Sequence, residues 1–318
     1  MKKHTAILML VALSHSFFSH GLSEDKCVRG CLGLGFFAEF LWAANYLDYC
    51  LATNKVPVVY WDRAFPYYSP QGYNGTTNNA WEYYFEPVSS ASYVAGDYVH
   101  RDNANNLGIA SIFWDYHEYI NYMYLCSVQQ KLSFQQVTHA PRPQWVAYKK
   151  GNQHIYDEQW RAAVKKRVLD KFIKIKYPIQ KKIDDFYIQK IANKKTIGIH
   201  LRGGHKFGEI PPVSISDLLT EANKHAGIGV QFFVATDQQP LLKKAKNELK
   251  GPVIYYDCER FAQSTAPGFG DKLDPKLGED VLIEALLLSH CDFFIHTISH
   301  LSTAVLYFNP ALKHTVLY

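Results

Sequence analysis

From Lys195 to the end, the chain alternates short apolar runs with amphipathic stretches, and this alternation narrows its fold more than any other feature. The runs predict strands over 196–200, 230–235, 253–256 and 292–296 and near Thr315. The stretches between predict helices over 214–225, 240–249, 277–289 and 299–308, one of them opened by Pro240, a favoured first helical position. Strands separated by helices cannot pair as hairpins, so the expected sheet is parallel and doubly wound. A shorter copy of the pattern lies in the first half. There the Gly-rich turn Cys27-Val-Arg-Gly-Cys-Leu-Gly-Leu-Gly35 leads into apolar residues at 36, 37, 40, 41, 44 and 47, a helix reaching about Thr53. Strand Val56 to Tyr60 follows and ends at Trp61-Asp62-Arg63. Trp160, Val164, Val168 and Phe172 recur at helical spacing, and Ile179, Ile183, Phe186 and Ile191 continue on a second helix past Pro178. The predicted division is 1–21 as a leader, 22–160 as one α/β domain and 161–318 as a second.

The leader reading rests on Lys2 and Lys3, the apolar core Ala6 to Leu13, and small residues around Ser19-His20-Gly21. It implies export or a secretory pathway, with membrane contact only if the segment stays as an uncleaved anchor. Without residues 1–21 the formal net charge falls from +5 to +3, because Lys2 and Lys3 leave. With no long basic tract, nucleic acid is not an expected partner. Aromatic residues make up 15% of the chain, which suits either a carbohydrate-facing cleft or an aromatic core. All six cysteines lie beyond the leader; Cys27, Cys31 and Cys50 are close enough to pair locally, but spacing does not fix connectivity. No second cysteine or histidine cluster completes a zinc set, so no metal is assigned.

The chemistry concentrates where strand 196–200 ends. Thr196-Ile-Gly-Ile-His-Leu-Arg202-Gly203-Gly-His205-Lys206 runs from a buried strand into small and cationic residues, as at the carboxyl edge of an anion-binding α/β sheet. Arg202 supplies a planar fork for phosphate and Lys206 a second cation. Ser299 opens a helix directly after a strand, where it either caps the helix or binds phosphate. Asn74-Gly75-Thr76 is a glycosylation sequon. Gly33 and Gly35 lack the third glycine of a dinucleotide fingerprint and remain, with Asp62 and Arg63, candidates for an acceptor side.

Three further segments follow in order: Gln231-Phe-Phe-Val-Ala-Thr-Asp237, Gly278-Glu-Asp-Val-Leu-Ile-Glu284-Ala-Leu-Leu-Leu-Ser289 and Asp292-Phe-Phe-Ile-His-Thr297-Ile-Ser299-His300. With the His-x-Arg strand, they resemble the donor-binding half of the α1,6-fucosyltransferases, a family that includes the nodulation fucosyltransferases. The resemblance covers roughly residues 195 to 310. It implies a GT-B-like fold, two Rossmann-like doubly wound domains facing a cleft. It also implies transfer of fucose from GDP-fucose to a glycan or other hydroxyl acceptor, with inversion. His200 and Arg202 match the family's first motif, whose Arg is implied to bind the diphosphate. Lys206 matches the Lys that follows, Asp237 a residue of the nucleotide cleft, and Ser299 the first of a Ser pair. Glu284 matches a carboxylate implied to take both hydrogens of guanine N1 and N2. The donor side thus comprises His200, Arg202, Gly203, His205, Lys206, Asp237, Glu284, Thr297, Ser299 and His300.

The family carries a second Arg at Gly203, an Asp at His205, an Asp at Glu284 and a second Ser at His300. With those departures, the open alternatives are another nucleotide sugar, or an inactive relative that binds nucleotide or carbohydrate. The chain has no Asp-x-Asp, the motif that generally holds a divalent ion in metal-dependent transferases, so the expected transfer needs no metal or other cofactor. Arg202, Lys206 and Glu209 are the expected catalytic set, with Glu209 as the base and His205 or Asp62 as alternatives.

Overall fold

A computed structural model describes residues 26–75, 78–100, 157–202, 213–262 and 272–317 of the chain. The leader, Cys126, Gly203, His205, Lys206 and Glu209 lie outside the described residues. No described helix is long and apolar enough to cross a membrane.

The described residues hold two parallel sheets. The first holds β1 (Lys26–Arg29), β2 (Val56–Val59) and β3 (Val99–His100) in the order β2-β1-β3, with α1 (Phe36–Ala52) joining β1 to β2. The second holds β4 (Lys195–His200), β5 (Val230–Ala235), β6 (Val253–Ile254), β7 (Phe293–Thr297) and β8 (His314–Leu317) in the order β6-β5-β4-β7-β8, every pair parallel. Between the sheets in sequence come α2 (Glu158–Val164), α3 (Asp170–Phe172) and α4 (Tyr177–Phe186), with π-helical turns over Lys165–Leu169 and Tyr187–Ile191. The second sheet is wound by α5 (Ile215–Asn223), α6 (Gln239–Glu248), α7 (Pro275–Ser289) and α8 (His300–Phe308). Every expected element in the second half therefore exists, within a few residues of its expected bounds.

Local chemistry explains where the helices begin. Asp157 caps α2 by accepting from the Gln159 and Trp160 amides at 2.8 and 3.0 Å. Asp274 caps α7 through the Lys276 amide at 2.7 Å, and Pro275 follows at the first helical position, where its missing N–H costs nothing. Helix α1 is buried almost all round, because the aromatic core closes over it on one side and the second half on the other.

One apolar core runs through both halves. It contains Phe36, Trp61, Phe65 and Trp81 from the first and Leu282, Leu287, Val305 and Tyr307 from the second. Phe36 is its hub: its ring centroid lies 5.0–6.3 Å from those of Phe37, Trp61, Phe65, Tyr67, Tyr84 and Phe85, mostly edge-on. The high aromatic content is thus spent largely on packing. Tyr84 carries the core across to α7, where its hydroxyl donates to the Pro275 carbonyl at 3.0 Å. A Cβ built at Gly278 would sit 2.5 Å from that hydroxyl. Beside it, the buried Glu279 carboxylate accepts from Tyr73 Oη at 2.9 Å, Asn74 Nδ2 at 3.3 Å and the Lys182 ammonium. The sequon asparagine is therefore bonded into this junction.

Two expectations follow. Gly278→Ala gains about 1 kcal/mol of helix propensity but forces apart a hydrogen-bonded ring in a filled core, a cost of about 1–3 kcal/mol. The net loss is read as a lower urea midpoint at unchanged slope. Burial pushes the Glu279 carboxyl up, but Lys182, Tyr73 and Asn74 outweigh it and hold it below its usual range. Its contribution is present above the unfolded carboxylate pKa of about 4.3 and fades as pH falls through the lower folded value. Glu279→Gln flattens that part of the stability–pH curve, which urea titrations at pH 5.5 and 3.5 measure.

Candidate functional site

The order β6-β5-β4-β7-β8 determines where a ligand can sit. The chain begins this sheet at its centre with β4, winds outward through β5 and β6, then crosses back to lay β7 on the other side of β4. The carboxyl ends of β4 and β7 therefore adjoin at a point where the strand order reverses, which is where open α/β sheets generally bind their ligands. Both key segments end there. Arg202 leaves β4 and its Nη1 donates to the Ile298 carbonyl at 3.4 Å, just past the end of β7. The cap Ser299 comes next, and α8 starts two residues later, at His300. A guanidinium and a helix N-terminus thus meet at one edge, and both favour an anion.

His200, the last residue of β4, is buried and its Nδ1 has no hydrogen-bond partner among the described residues. Burial, with Arg202 adding to it, drops its pKa to about 3, so the ring is neutral at physiological pH. It adds no charge to the crevice and leaves the cationic role to Arg202. His296 behaves likewise, at about 3 through burial and His314. Its Nδ1 lies 2.9 Å from the Thr297 carbonyl and its Nε2 3.1 Å from His314 Nδ1, a structural pairing inside β7 and β8.

Ser299 resolves toward the cap. Its Oγ accepts from the Ser302 amide at 3.0 Å and lies 2.7 Å from Ser302 Oγ, which itself donates to the Thr297 carbonyl at 2.9 Å. Since the Ser302 proton is committed to Thr297, the Ser299 hydroxyl proton goes to Ser302 Oγ. The phosphate role considered for this hydroxyl is corrected, and what remains for an anion is the backbone of the turn, with His300 as its first residue. Thr297 is buried with its carbonyl taken twice over.

The Gly-rich turn is likewise turned inward. The amides of Leu32 and Leu34 both donate to Glu39 Oε1, at 2.7 and 2.8 Å. Gly33 takes φ +86°, and a Cβ there would lie 3.3 Å from the Ala64 carbonyl. The carboxylate of α1 thus takes the two amides that a phosphate cradle would need. Asp62 is a turn residue: its Oδ1 accepts from the Ala64 amide at 3.0 Å and from Cys31 Sγ at 3.5 Å. Arg63 is exposed and its carbonyl accepts from Lys272. The five described cysteines are free thiols; Cys27 Sγ lies 2.7 Å from Tyr46 Oη.

Asp237 follows β5, with its carbonyl bonded to the Phe261 amide at 2.9 Å. Its charge raises Tyr67, already pushed up by burial, to about 12, and reaches Glu284 on α7. Glu284 does not stand alone. Its Oε1 accepts from Arg260 Nη2 at 2.9 Å, with Cys258 Sγ at 3.6 Å. Burial lifts its carboxyl to about 8, opposed first by Arg260. A neutral acid here would leave the guanidinium charge buried and uncompensated, so the ion pair is the form this geometry supports. Arg260 and Glu39 carried no sequence signal: one stands in an irregular segment after β6, the other among apolar helix residues. The structure groups Arg202, Ile298 and the α8 turn at one point of the edge, and Asp237, Glu284 and Arg260 at another. Among the described residues, no group of three or more His, Cys, Asp or Glu side chains could hold a metal.

Ser299→Ala removes the α8 cap and costs about 1 kcal/mol of stability, whereas Ser299→Asp keeps an acceptor there and costs less; urea midpoints distinguish the two.

No protein-family model matches this chain, and no curated protein matches it by sequence. In structure it is similar to NodZ α-1,6-fucosyltransferase soaked with GDP-fucose, at 18% identity and a TM-score of 0.48, over 90% of this chain and 92% of that one. It is also similar to fucosyltransferase NodZ from Bradyrhizobium, at 18% identity and 0.45, over 86% and 88%. A third is an Arabidopsis thaliana FUT1 mutant in complex with GDP, at 12% identity and 0.47, over 93% of this chain and 70% of that one.

Proposed function

We propose that the chain is a glycosyltransferase that uses a nucleotide sugar, GDP-fucose in the first instance, and passes the sugar to a hydroxyl of a glycan or similar acceptor. The observation that carries this reading is the convergence of Arg202 with the α8 N-terminus at the β4–β7 crossover. A transferase of this kind must bind a diphosphate and stabilise the charge that grows on it as the sugar leaves. Fixed positive groups at a sheet edge supply both, the second because they are already oriented before the charge develops. The ordered match of His200, Arg202, Asp237 and Glu284 to the fucosyltransferase pattern supports the choice of donor.

In this reading the acceptor hydroxyl displaces the nucleoside diphosphate at the anomeric carbon with inversion. Arg202 and Lys206 hold the departing phosphate, and Glu209 takes the acceptor proton. No divalent ion enters the step. The leader directs the chain to an exported or secretory compartment.

Isothermal titration of residues 22–318 with GDP and GDP-fucose, in excess EDTA, tests the reading. Both bind, and Arg202→Ala weakens each by at least about tenfold, the loss expected for a charge-assisted contact. Absence of binding by either removes the donor assignment. Binding without turnover across a hydroxyl-acceptor screen, with Glu209→Gln indistinguishable from the parent, favours the inactive relative.

A further inference from the structure

Cys27 on β1 and Cys50 near the end of α1 meet in a small buried cluster with Tyr46, apart from the two larger apolar cores. The strand register brings them there. Lys26 pairs with Val56 and Cys27 with Pro57, and the Lys55 amide donates to the Cys50 carbonyl at 2.9 Å. The end of α1 therefore turns straight into the strand beside β1. Tyr46 precedes Cys50 by about one helical turn, so the two share a face of α1. The Tyr46 hydroxyl lies 2.7 Å from Cys27 Sγ, and the Cys27 and Cys50 thiols hydrogen-bond to each other.

The other described cysteines are directed elsewhere. Cys31 Sγ lies 3.5 Å from Asp62 Oδ1, Cys258 Sγ 3.6 Å from Glu284 Oε1, and Cys291 Sγ 3.5 Å from the Leu287 carbonyl. Sequence spacing leaves the partner of Cys27 open, whereas the fold brings Cys50 to it. The hydrogen bond from Cys50 holds the Cys27 thiol below its usual range although burial opposes it, and Tyr46, His100 and Lys55 act the same way. Cys50 is pushed up, by its bond to Cys27 and by burial. The reduced cluster thus pairs a sulfur that favours the attacking thiolate with a second thiol placed to resolve the product.

We propose that Cys27 and Cys50 form a disulfide, by exchange with a small disulfide oxidant such as glutathione disulfide, and that the bond fastens β1 to the end of α1. The Cys27 thiolate attacks one sulfur of glutathione disulfide and expels a glutathione thiolate, which takes up a proton. Cys50 then gives up its proton, and its sulfur attacks Cys27 in the mixed disulfide and expels the second glutathione. Two protein thiols are oxidised, one glutathione disulfide is reduced to two thiols, and no other electron carrier enters. Both sulfurs are buried, so the exchange takes place as the chain folds or when this end of the sheet opens. The bond completes a closed unit. Glu39 already secures the turn between β1 and α1 through the Leu32 and Leu34 amides, and the disulfide secures the open end. This inference is independent of the transferase reading.

The test equilibrates the full chain, both native and refolded from urea, with a mixture of oxidised and reduced glutathione. Each sample is alkylated under denaturing conditions and digested without reduction for mass mapping. The expected product is a peptide pair joining Cys27 to Cys50, lighter by two hydrogens than the separate peptides, with Cys31, Cys258 and Cys291 alkylated. The urea midpoint of the oxidised chain exceeds that of the dithiothreitol-treated chain by about 1 M, because the bond closes residues 27–50 into a loop before folding. Cys50→Ser abolishes this response to reductant, and Cys31→Ser keeps it. Alkylation of both Cys27 and Cys50 in both samples overturns the inference, as does a link from either to Cys31 or Cys126. A response to reductant that persists in Cys50→Ser overturns it as well. If Cys50→Ser does not fold, the peptide map of the parent chain decides.

Discussion

The constraint on which the arrangement depends is the approach of the Tyr84 ring to the backbone of α7 at Gly278. It holds the irregular segment after β2 against the helix that carries both Glu279 and Glu284, and it admits no side chain between them. The Phe36 cluster stands behind the ring, so that it cannot retreat, and the Glu279 network beside it ties Tyr73, Asn74 and Lys182 to the same helix turn. With α7 fixed from the first half of the chain, its outer turns are set relative to β5. Asp237, Glu284 and Arg260 inherit their positions from that.

The candidate site divides along the sheet edge by the kind of work each part does. At the β4–β7 crossover the groups are cationic or dipolar, and the neutral His200 keeps the strand end from adding a charge of its own. Near β5 and β6 Arg260 and Glu284 are paired, acid with base, so their charges offset each other.

Two segments whose backbone or hydroxyl donors could have faced a ligand are used inward instead. Leu32 and Leu34 turn their amides to Glu39, and Ser299 spends its hydroxyl on Ser302. In each case a nearby side chain satisfies the backbone more cheaply than a ligand does, because it is already tethered and pays no cost of association. The residue types in a Gly-rich turn or at a helix cap specify backbone geometry; whether the donors end up facing solvent is decided by what the neighbouring helix places opposite them.

The sequence by itself determined the parallel α/β character, the element order of the second half, and Arg202 as the cation at a strand end. Apolar period and loop chemistry are local properties, readable from a few residues at a time. It also carried the motif order through Asp237, Glu284 and Ser299. Only the tertiary structure decided that Glu284 is paired, since Arg260 lies 24 residues away with no periodic relation to it. The same is true of Glu39 closing the Gly-rich turn, and of Gly278 being required by a tyrosine 194 positions earlier in the chain. These are contacts between surfaces, and a surface exists only once the chain has packed. Chain-local patterns fix which groups are available, whereas burial and the distances across the fold decide which of them remain for a ligand.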